Sequence, residues 1–233
     1  MSSQFRVKVS SEFRVKVSSE FRVKVSSRIG GNVLTCSATE NTDLFWAIRG
    51  AGGGNYGIHT QFTFEPFPVA DITVFNIAWD TKLEEVFATI QQVMLAAPNT
   101  LGAKVSLTTT PSGASNVLHV DIIGQLVGSS AELDALFQPV YAIANPVQSA
   151  IQQLSYWDGQ EIISEEGAPE YSHERSRFAF SALGPEGITA IFRNMRAWPT
   201  TGVGGTWKYF LMGGAINNKQ PHKTLPLFIE TQR

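Results

Sequence analysis

The chain has 233 residues, of which 43% are hydrophobic and 16% are charged, and its formal net charge is −2. This length suffices for one large domain or two small ones, and the hydrophobic share excludes general disorder. The chain has one cysteine, Cys36, which excludes an intrachain disulfide framework and any site built from several cysteines.

The near-neutral charge gives no reason to expect nucleic acid or an anionic membrane as a partner. No apolar run approaches the ~18 residues of a membrane-spanning helix, and the first residues lack the apolar stretch of a signal peptide. The sequence therefore predicts neither membrane insertion nor a cellular location.

Residues 2–27 are a repeat with a period of eight, in which Phe-Arg-Val-Lys-Val occurs three times, separated by Ser-Ser and one further residue. Because eight is even, a strand would place the Phe and Val residues on one face and the Arg and Lys residues on the other. The pattern predicts a basic octapeptide β repeat over 1–28, which carries a net charge of +5 against −7 for the remainder. Such strands could also mediate self-association.

Three interpretations of the repeat stay open. It is a designed or duplicated strand array, a basic arm for an anionic partner, or the product of short-repeat DNA expansion without a native role. Verbatim copies favour the first or the last, since natural strands diverge in sequence.

After residue 28 the sequence is typical of a globular protein. A strand over 33–38 precedes a short helix over 43–48, which Asn41 or Thr42 can cap. A glycine-rich loop over 50–57 follows, and then a strand over 58–64, which Pro66 and Pro68 are expected to end.

The next elements follow the order β-α-β-β-α-β. We expect strands over 72–79, 103–109, 117–127 and 147–154, with a Pro111-Ser-Gly-Ala turn in the central hairpin. The two helices begin at a Thr81/Glu84 capping box and a Ser129/Glu132 cap. Beyond them we expect an acidic irregular segment over 156–174, a strand over 177–182, a helix that begins at Pro185 and a strand over 206–215. The fold class is α+β, an antiparallel or mixed sheet with helices on one face.

Gly52, Gly54 and Gly57 match the dinucleotide-binding fingerprint by letter. That fingerprint needs a strand before the glycines and a helix after them, whereas here the order is reversed, so a Rossmann site is excluded. Close approach of a ligand to the loop backbone and a merely flexible turn remain the two interpretations.

The segment Asp43-Leu-Phe-Trp-Ala-Ile-Arg-Gly50, joined to Gly52-Gly-Gly-Asn-Tyr-Gly57, resembles the berberine-bridge-enzyme-like FAD-linked oxidases of the vanillyl-alcohol-oxidase type. The strong match runs from Asn32 to Val69, and Gly213-Gly214-Ala-Ile and Pro221-His222-Lys223 resemble later family motifs. The resemblance implies three parts: the repeat over 1–28, a C-terminal piece of an FAD-binding domain over 29–69, and a substrate-binding domain over 70–233.

The resemblance also implies FAD as cofactor, a small-molecule substrate, and hydride transfer from an alcohol, sugar or alkaloid-type substrate to the flavin, with oxygen as acceptor. The substrate-domain sheet would cover the flavin and hold the substrate. It identifies no catalytic residue. The implied cofactor-binding residues are Gly53, Gly54, Asn55, Tyr56, Gly57 and Ile58.

Candidate substrate-binding residues are fewer. Tyr171, Trp207 and Tyr209 could line a substrate cavity, with packing in the core or at its rim as the alternative, and His222 is added by the Pro-His-Lys motif. The other histidines, His59, His119 and His173, show no metal-ligand spacing, so we expect no metal site.

The chain departs from the family pattern at both ends. The flavin-binding half that precedes residue 33 in the family is absent, the C-terminal segment is absent, and His59 replaces a usually aliphatic residue. The sequence therefore predicts a fragment that binds FAD poorly by itself. The alternative is a non-catalytic fragment or fusion, whose repeat strands pair with the exposed sheet of the truncated domain.

Overall fold

A computed structural model describes residues 13–16, 22–26, 33–49, 56–63, 65–164, 174–177, 179, 181–200 and 202–211. The chain divides into two compact units, one formed by Met1–Val69 with Gly214–Arg233 and the other by Ala70–Gly213. Within the described residues, no helix combines the length and the apolar character needed to cross a bilayer.

In the part of the second unit that the structure describes, five strands form one sheet and are accompanied by four helices. Its elements, in chain order, are β6 (Ile72–Trp79), α2 (Leu83–Ala96), β7 (Leu101–Ser112), β8 (Ser115–Leu126), α3 (Ser130–Tyr141), β9 (Gln148–Leu154), α4 (Tyr156–Ile163), α5 (Pro185–Arg196) and β10 (Gly205–Phe210). The strand order is β10-β7-β8-β6-β9, and every neighbouring pair is antiparallel. The predicted α+β class and the β-α-β-β-α-β order are confirmed, with β10 added beside β7.

One face of this sheet carries the core. Alternate residues of the strands, among them Phe75, Ile77 and Trp79, pack against the apolar sides of α2, α3 and α5. Trp79 is fully buried, and its indole Nε1 donates a hydrogen bond to the Ala144 carbonyl oxygen at 3.0 Å. The helix spacing of apolar residues predicted all three of these helices, because that spacing forms one continuous apolar stripe.

Helix α4 lies on the opposite face, which corrects two predictions. The segment 156–174 was expected to be irregular, yet its first half is helical, and helices were expected on one face only. The helix begins at Ser155, whose hydroxyl accepts the Asp158 backbone N–H at 3.2 Å. Gly159 rests against Ile72 and Val74, which point away from the core face. The absence of a side chain at Gly159 lets the helix approach the sheet closely.

Other boundaries differ from the prediction for local reasons. At the start of α2, Lys82 has a φ of 47° and makes no side-chain cap, so the Thr81/Glu84 box is wrong. The Ser129/Glu132 box is confirmed in α3. Residues 177, 179, 181 and 182 lie in no strand, contrary to the strand expected there. The β7–β8 turn is centred on Gly113, with a φ of 64°, so Pro111 lies within β7.

The described residues of the first unit form five short strands and one helix: β1 (Phe13–Lys16), β2 (Arg22–Ser26), β3 (Val33–Cys36), α1 (Thr42–Ile48), β4 (Ile58–Thr63) and β5 (Glu65–Pro68). Strand β2 lies between β3 and β4 and is antiparallel to both, while β1 pairs with β5. Pro66 and Pro68 therefore lie within a strand, β5, and do not end the extended backbone. The first copy of the repeat lies outside the described residues, so the complete β repeat stays a prediction.

Helix α1 packs its Phe45 with the buried Cys36, which confirms the cysteine as a small core residue. Asn41 precedes the helix but does not cap it. Its backbone is left-handed, with a φ of 45°, and its side-chain Nδ2 donates to the Thr35 carbonyl oxygen at 2.6 Å. Asn41 therefore ties the helix to the end of β3.

Candidate functional site

The sheet face opposite the α2, α3 and α5 helices is polar, and we call it the polar face. The strand registers align one row across all five strands: Lys208, Ser106, Asp121, Ala78 and Gln148. The next row contains Phe210, Lys104, Ile123, Asn76 and Ala150. Helix α4 covers one end of this face, where Gln160 Nε2 donates to Gln125 Oε1 at 2.6 Å.

Asp121 is the central ionisable group of the polar face. Its side chain is 24% exposed, and it lies opposite Ser106, which is itself only 6% exposed. His119, two residues earlier on β8 and therefore on the same face, brings its Nε2 to 3.8 Å from Asp121 Oδ1. A partly desolvated carboxylate with a hydroxyl and an imidazole beside it is an arrangement suited to binding a polar ligand.

The pKa of Asp121 is raised above its ordinary value, chiefly because burial penalises the charged form. His119, a hydrogen bond from Ser106 and the charge of Lys104 each lower that pKa and offset part of the effect of burial. Asp121 consequently holds its proton to a higher pH than an exposed aspartate would.

Trp207 and Tyr209 lie on the other side of the sheet. Their ring centroids are 5.4 and 5.7 Å from the ring of Phe87, inside the core formed with α2 and α5. Burial raises the pKa of Tyr209 above its ordinary value, and its hydroxyl makes no hydrogen bond. Their placement fits the packing alternative rather than a substrate cavity. The residues of β10 that reach the polar face are instead Thr206, Lys208 and Phe210.

Three predicted site residues belong to the described part of the glycine loop. Tyr56 is 43% exposed, Gly57 has a φ of 100°, and Ile58 begins β4. Only glycine adopts such a positive φ readily, so the sequence at 57 is dictated by the backbone. Gly53, Gly54, Asn55, Tyr171 and His222 lie outside the described residues.

Among the described residues, no group of three His, Cys, Asp or Glu side chains is placed to hold a metal ion. The polar face itself was not identified from sequence. The signal was present as alternating polar residues, Lys104-x-Ser106-x-Thr108 on β7 and His119-x-Asp121 on β8. Alternation alone does not tell a solvent-facing side from a ligand-binding one.

Comparison with known proteins finds that the chain is similar to FAD-linked oxidoreductases. It is 26% identical over 198 residues to the uncharacterised FAD-linked oxidoreductase YgaK of Bacillus subtilis, covering 84% of this chain and 42% of that one. It is 29% identical over 136 residues to the xylooligosaccharide oxidase of Thermothelomyces thermophilus, covering 55% and 26%. No protein-family model matches the chain.

A solved structure agrees with the sequence comparisons. The BBE-like 1 protein of Physcomitrella patens superposes with a TM-score of 0.63 at 26% identity, covering 87% of this chain and 46% of that one. The chain is a homologue of the berberine-bridge-enzyme-like FAD-linked oxidoreductases. It spans less than half the length of YgaK and of BBE-like 1.

The similarity to FAD-linked oxidoreductases confirms the family resemblance at residues 43–57. By this resemblance, FAD is the expected cofactor. The described loop residues fit a flavin in one respect. Gly57 has no Cβ and adopts a φ of 100°, so no side chain of its own would obstruct the approach of a planar ring system to the main chain there.

Proposed function

We propose that this chain is part of an FAD-dependent oxidase that oxidises an alcohol, sugar or alkaloid-type substrate, and that the polar face binds the substrate. The observation that carries the proposal is the Asp121 row, in which a partly buried carboxylate lies opposite Ser106 on the polar face. The homology to FAD-linked oxidoreductases and to an oligosaccharide oxidase supports this reaction class.

The chemistry of the polar face suits hydroxylated substrates. The Asp121 carboxylate can accept hydrogen bonds from substrate hydroxyl groups, and Lys104 and Lys208 on flanking strands can donate them. Phe210, 56% exposed in the neighbouring row, offers an apolar surface against which a sugar ring can pack. We favour a sugar among the three substrate classes because these groups together match its alternating hydroxyl and C–H surfaces.

The cofactor would be held by the glycine-loop backbone, with Gly53, Gly54, Asn55, Tyr56, Gly57 and Ile58 as the proposed contacts. Bound FAD supplies the acceptor for the substrate hydride and passes the electrons to oxygen. In this proposal the glycine-loop backbone of the chain lies close to the flavin, and the polar face orients the substrate hydroxyl groups.

The first experiment tests the cofactor. The purified chain is incubated with FAD and passed through gel filtration, and the flavin absorbance that coelutes with the protein is measured. Retained flavin that a Gly57→Val substitution abolishes supports the proposal, because valine is strained at a φ of 100°. Protein that stays colourless with added FAD would contradict catalysis by this chain alone.

The second experiment tests the polar face without requiring flavin. Titration calorimetry with a xylooligosaccharide compares the parent chain, Asp121→Asn and the control Glu85→Gln, which changes an exposed carboxylate of α2. Loss of a charged hydrogen-bond acceptor should weaken binding about tenfold or more, while the control should bind as the parent does. Equal affinity for all three would remove Asp121 from the site.

A non-catalytic role is the second candidate, and the pairing of β1 with β5 and of β2 with β3 and β4 favours it. In this case the repeat would be a structural part of the first unit. Deleting residues 2–27 should then lower solubility and abolish a cooperative unfolding transition of that unit. Unchanged solubility and melting would exclude a structural role for the repeat.

A further inference from the structure

The sequence that forms β2 occurs three times in the chain. Strand β2 is Arg-Val-Lys-Val-Ser at 22–26, and the same five residues stand at 14–18 and at 6–10. Strand β1 is Phe-Arg-Val-Lys at 13–16, and the same four residues stand at 5–8 and 21–24. The chain thus has three copies of the repeat sequence, whereas the described sheets contain two strand positions for it, β1 and β2.

Moving the repeat by eight residues preserves both pairings. Residues 14–18 would then take the place of β2 between β3 and β4, and residues 5–8 would take the place of β1 beside β5. Every backbone position in both ladders would receive the same residue type as before. An even shift also keeps each residue type on its original face, so the hydrophobic pattern does not oppose it.

We propose that the first unit exchanges between these two registers, with either the third or the second copy of the repeat as the central strand of the β3-β2-β4 sheet. The two registers differ in the connection to β3. Six residues, 27–32, link β2 to Val33 in the described register, and fourteen residues, 19–32, would link them after the shift.

Loop-closure entropy sets the ratio of the two populations. Because closure probability falls as the three-halves power of loop length, the shifted register should be about 3.6-fold less populated. A shift of sixteen residues is different in kind. It lengthens the link to twenty-two residues, a factor of about seven, and it leaves no copy before the central strand to pair with β5, so its population should be lower still.

The cysteine of β3 provides a direct assay. Val23 lies opposite Cys36 in the described register, Val15 would lie opposite it after a shift of eight, and Val7 after a shift of sixteen. Directly opposed residues on antiparallel strands bring their Cβ atoms within disulfide range. The variants Val23→Cys, Val15→Cys and Val7→Cys therefore report three registers through one strand pair.

Each variant is equilibrated in a glutathione redox buffer, and the fraction of intramolecular disulfide is read by mass spectrometry. Lys16→Cys is the matched control, since residue 16 would face Thr35 rather than Cys36 after the shift. Urea unfolding of the reduced variants verifies that all four are folded. We expect an effective concentration for Val15→Cys about 3.6-fold below that of Val23→Cys, well above the control, and a smaller value for Val7→Cys.

Several results would overturn the proposal. A disulfide yield for Val15→Cys equal to that of Lys16→Cys means a fixed register, as does a disulfide in Val15→Cys without one in Val23→Cys. Disulfide-linked dimers in place of intramolecular bonds mean that the strand comes from another chain. As a second measurement on the unaltered chain, the Val15 amide should give two NMR resonances in slow exchange, and a single resonance contradicts the two registers.

Discussion

The contact between Gly159 of α4 and strand β6 gives a prediction whose size follows from the packing. A Cβ built at Gly159 would lie 2.6 Å from Ile72 Cδ1, 2.9 Å from Ile72 Cγ1 and 3.0 Å from Val74 Cγ1. Because Ile72 is fully buried and Val74 nearly so, neither side chain can move aside freely. Gly159→Ala should therefore force α4 away from the sheet.

The expected loss combines two opposing effects. Overpacking a well-filled site costs about 1–3 kcal/mol, whereas alanine in place of glycine within a helix returns about 0.5–1 kcal/mol. Because two of the contacts would be shorter than 3.0 Å, the upper part of the overpacking range applies, and the net loss in the free energy of unfolding should be about 1–2 kcal/mol. For a unit of this size, that loss lowers the melting temperature by about 3–6 °C.

Urea unfolding followed by circular dichroism measures this loss, and Ile72→Val provides the matched control. Ile72→Val removes the Cδ1 atom that lies nearest the new methyl group, and alone it should cost about 0.5–1.5 kcal/mol. The double variant should be more stable than the sum of the single losses by about 0.5 kcal/mol or more. If Gly159→Ala is neutral and additive with Ile72→Val, then α4 does not pack on β6 as described.

Substitutions at three further residues test two contacts and one titration. Gln91→Leu should lower the free energy of unfolding by about 1–3 kcal/mol in urea unfolding, because the Gln91 side chain donates to the Leu183 carbonyl oxygen and accepts from the Leu183 N–H, each at 3.0 Å. An unchanged stability would contradict this contact. Asn116→Ala should cost about 1–2 kcal/mol in the same assay, because its Nδ2 donates to the Arg196 and Trp198 carbonyl oxygens, and Asn116→Asp should be no better since it cannot donate. The raised pKa of Asp121 means that its protonation favours the folded state, so its contribution to stability should fall as the pH rises from about 3.8 through the folded-state pKa. Melting curves across this range should show that the parent loses stability relative to Asp121→Asn as the pH rises.

Much of the second unit could be predicted because its sequence patterns are long. The apolar residues of α2 recur at helix spacing over fourteen residues, and Pro98 follows the helix. The box at Ser129 and Glu132 joins side chains three residues apart, so it depends on local sequence alone. Such patterns determine an element before any tertiary contact forms.

The errors came where local sequence is ambiguous. The acidic residues between 158 and 174 led to the prediction of a loop. The capping hydrogen bond between Ser155 and Asp158, which begins α4, was not predicted. Lys82 and Asn41 begin their helices in the left-handed region, where the backbone conformation replaces the side-chain caps that sequence suggested.

The face of β10 could not be assigned from sequence because both of its alternating sets contain an aromatic residue. Trp207 and Tyr209 stand on one side, and Phe210 stands on the other with Lys208. Only pairing with β7 decides which set meets the core. A shift of one residue along this strand reverses the face, so the sequence alone does not decide whether Trp207 and Tyr209 or Lys208 and Phe210 face the core.

The position of β10 also bears on how the second unit reaches its native state. Strands β7 and β8 meet through a short turn at Gly113, so their ladder can form from neighbouring sequence. Thr108 and Thr206, which face each other between β7 and β10, are 98 residues apart in sequence. Contacts of such long range form slowly because the intervening chain must be ordered first. The β7–β8 hairpin is therefore expected to be an early event in folding, and the attachment of β10 a late one that limits the rate.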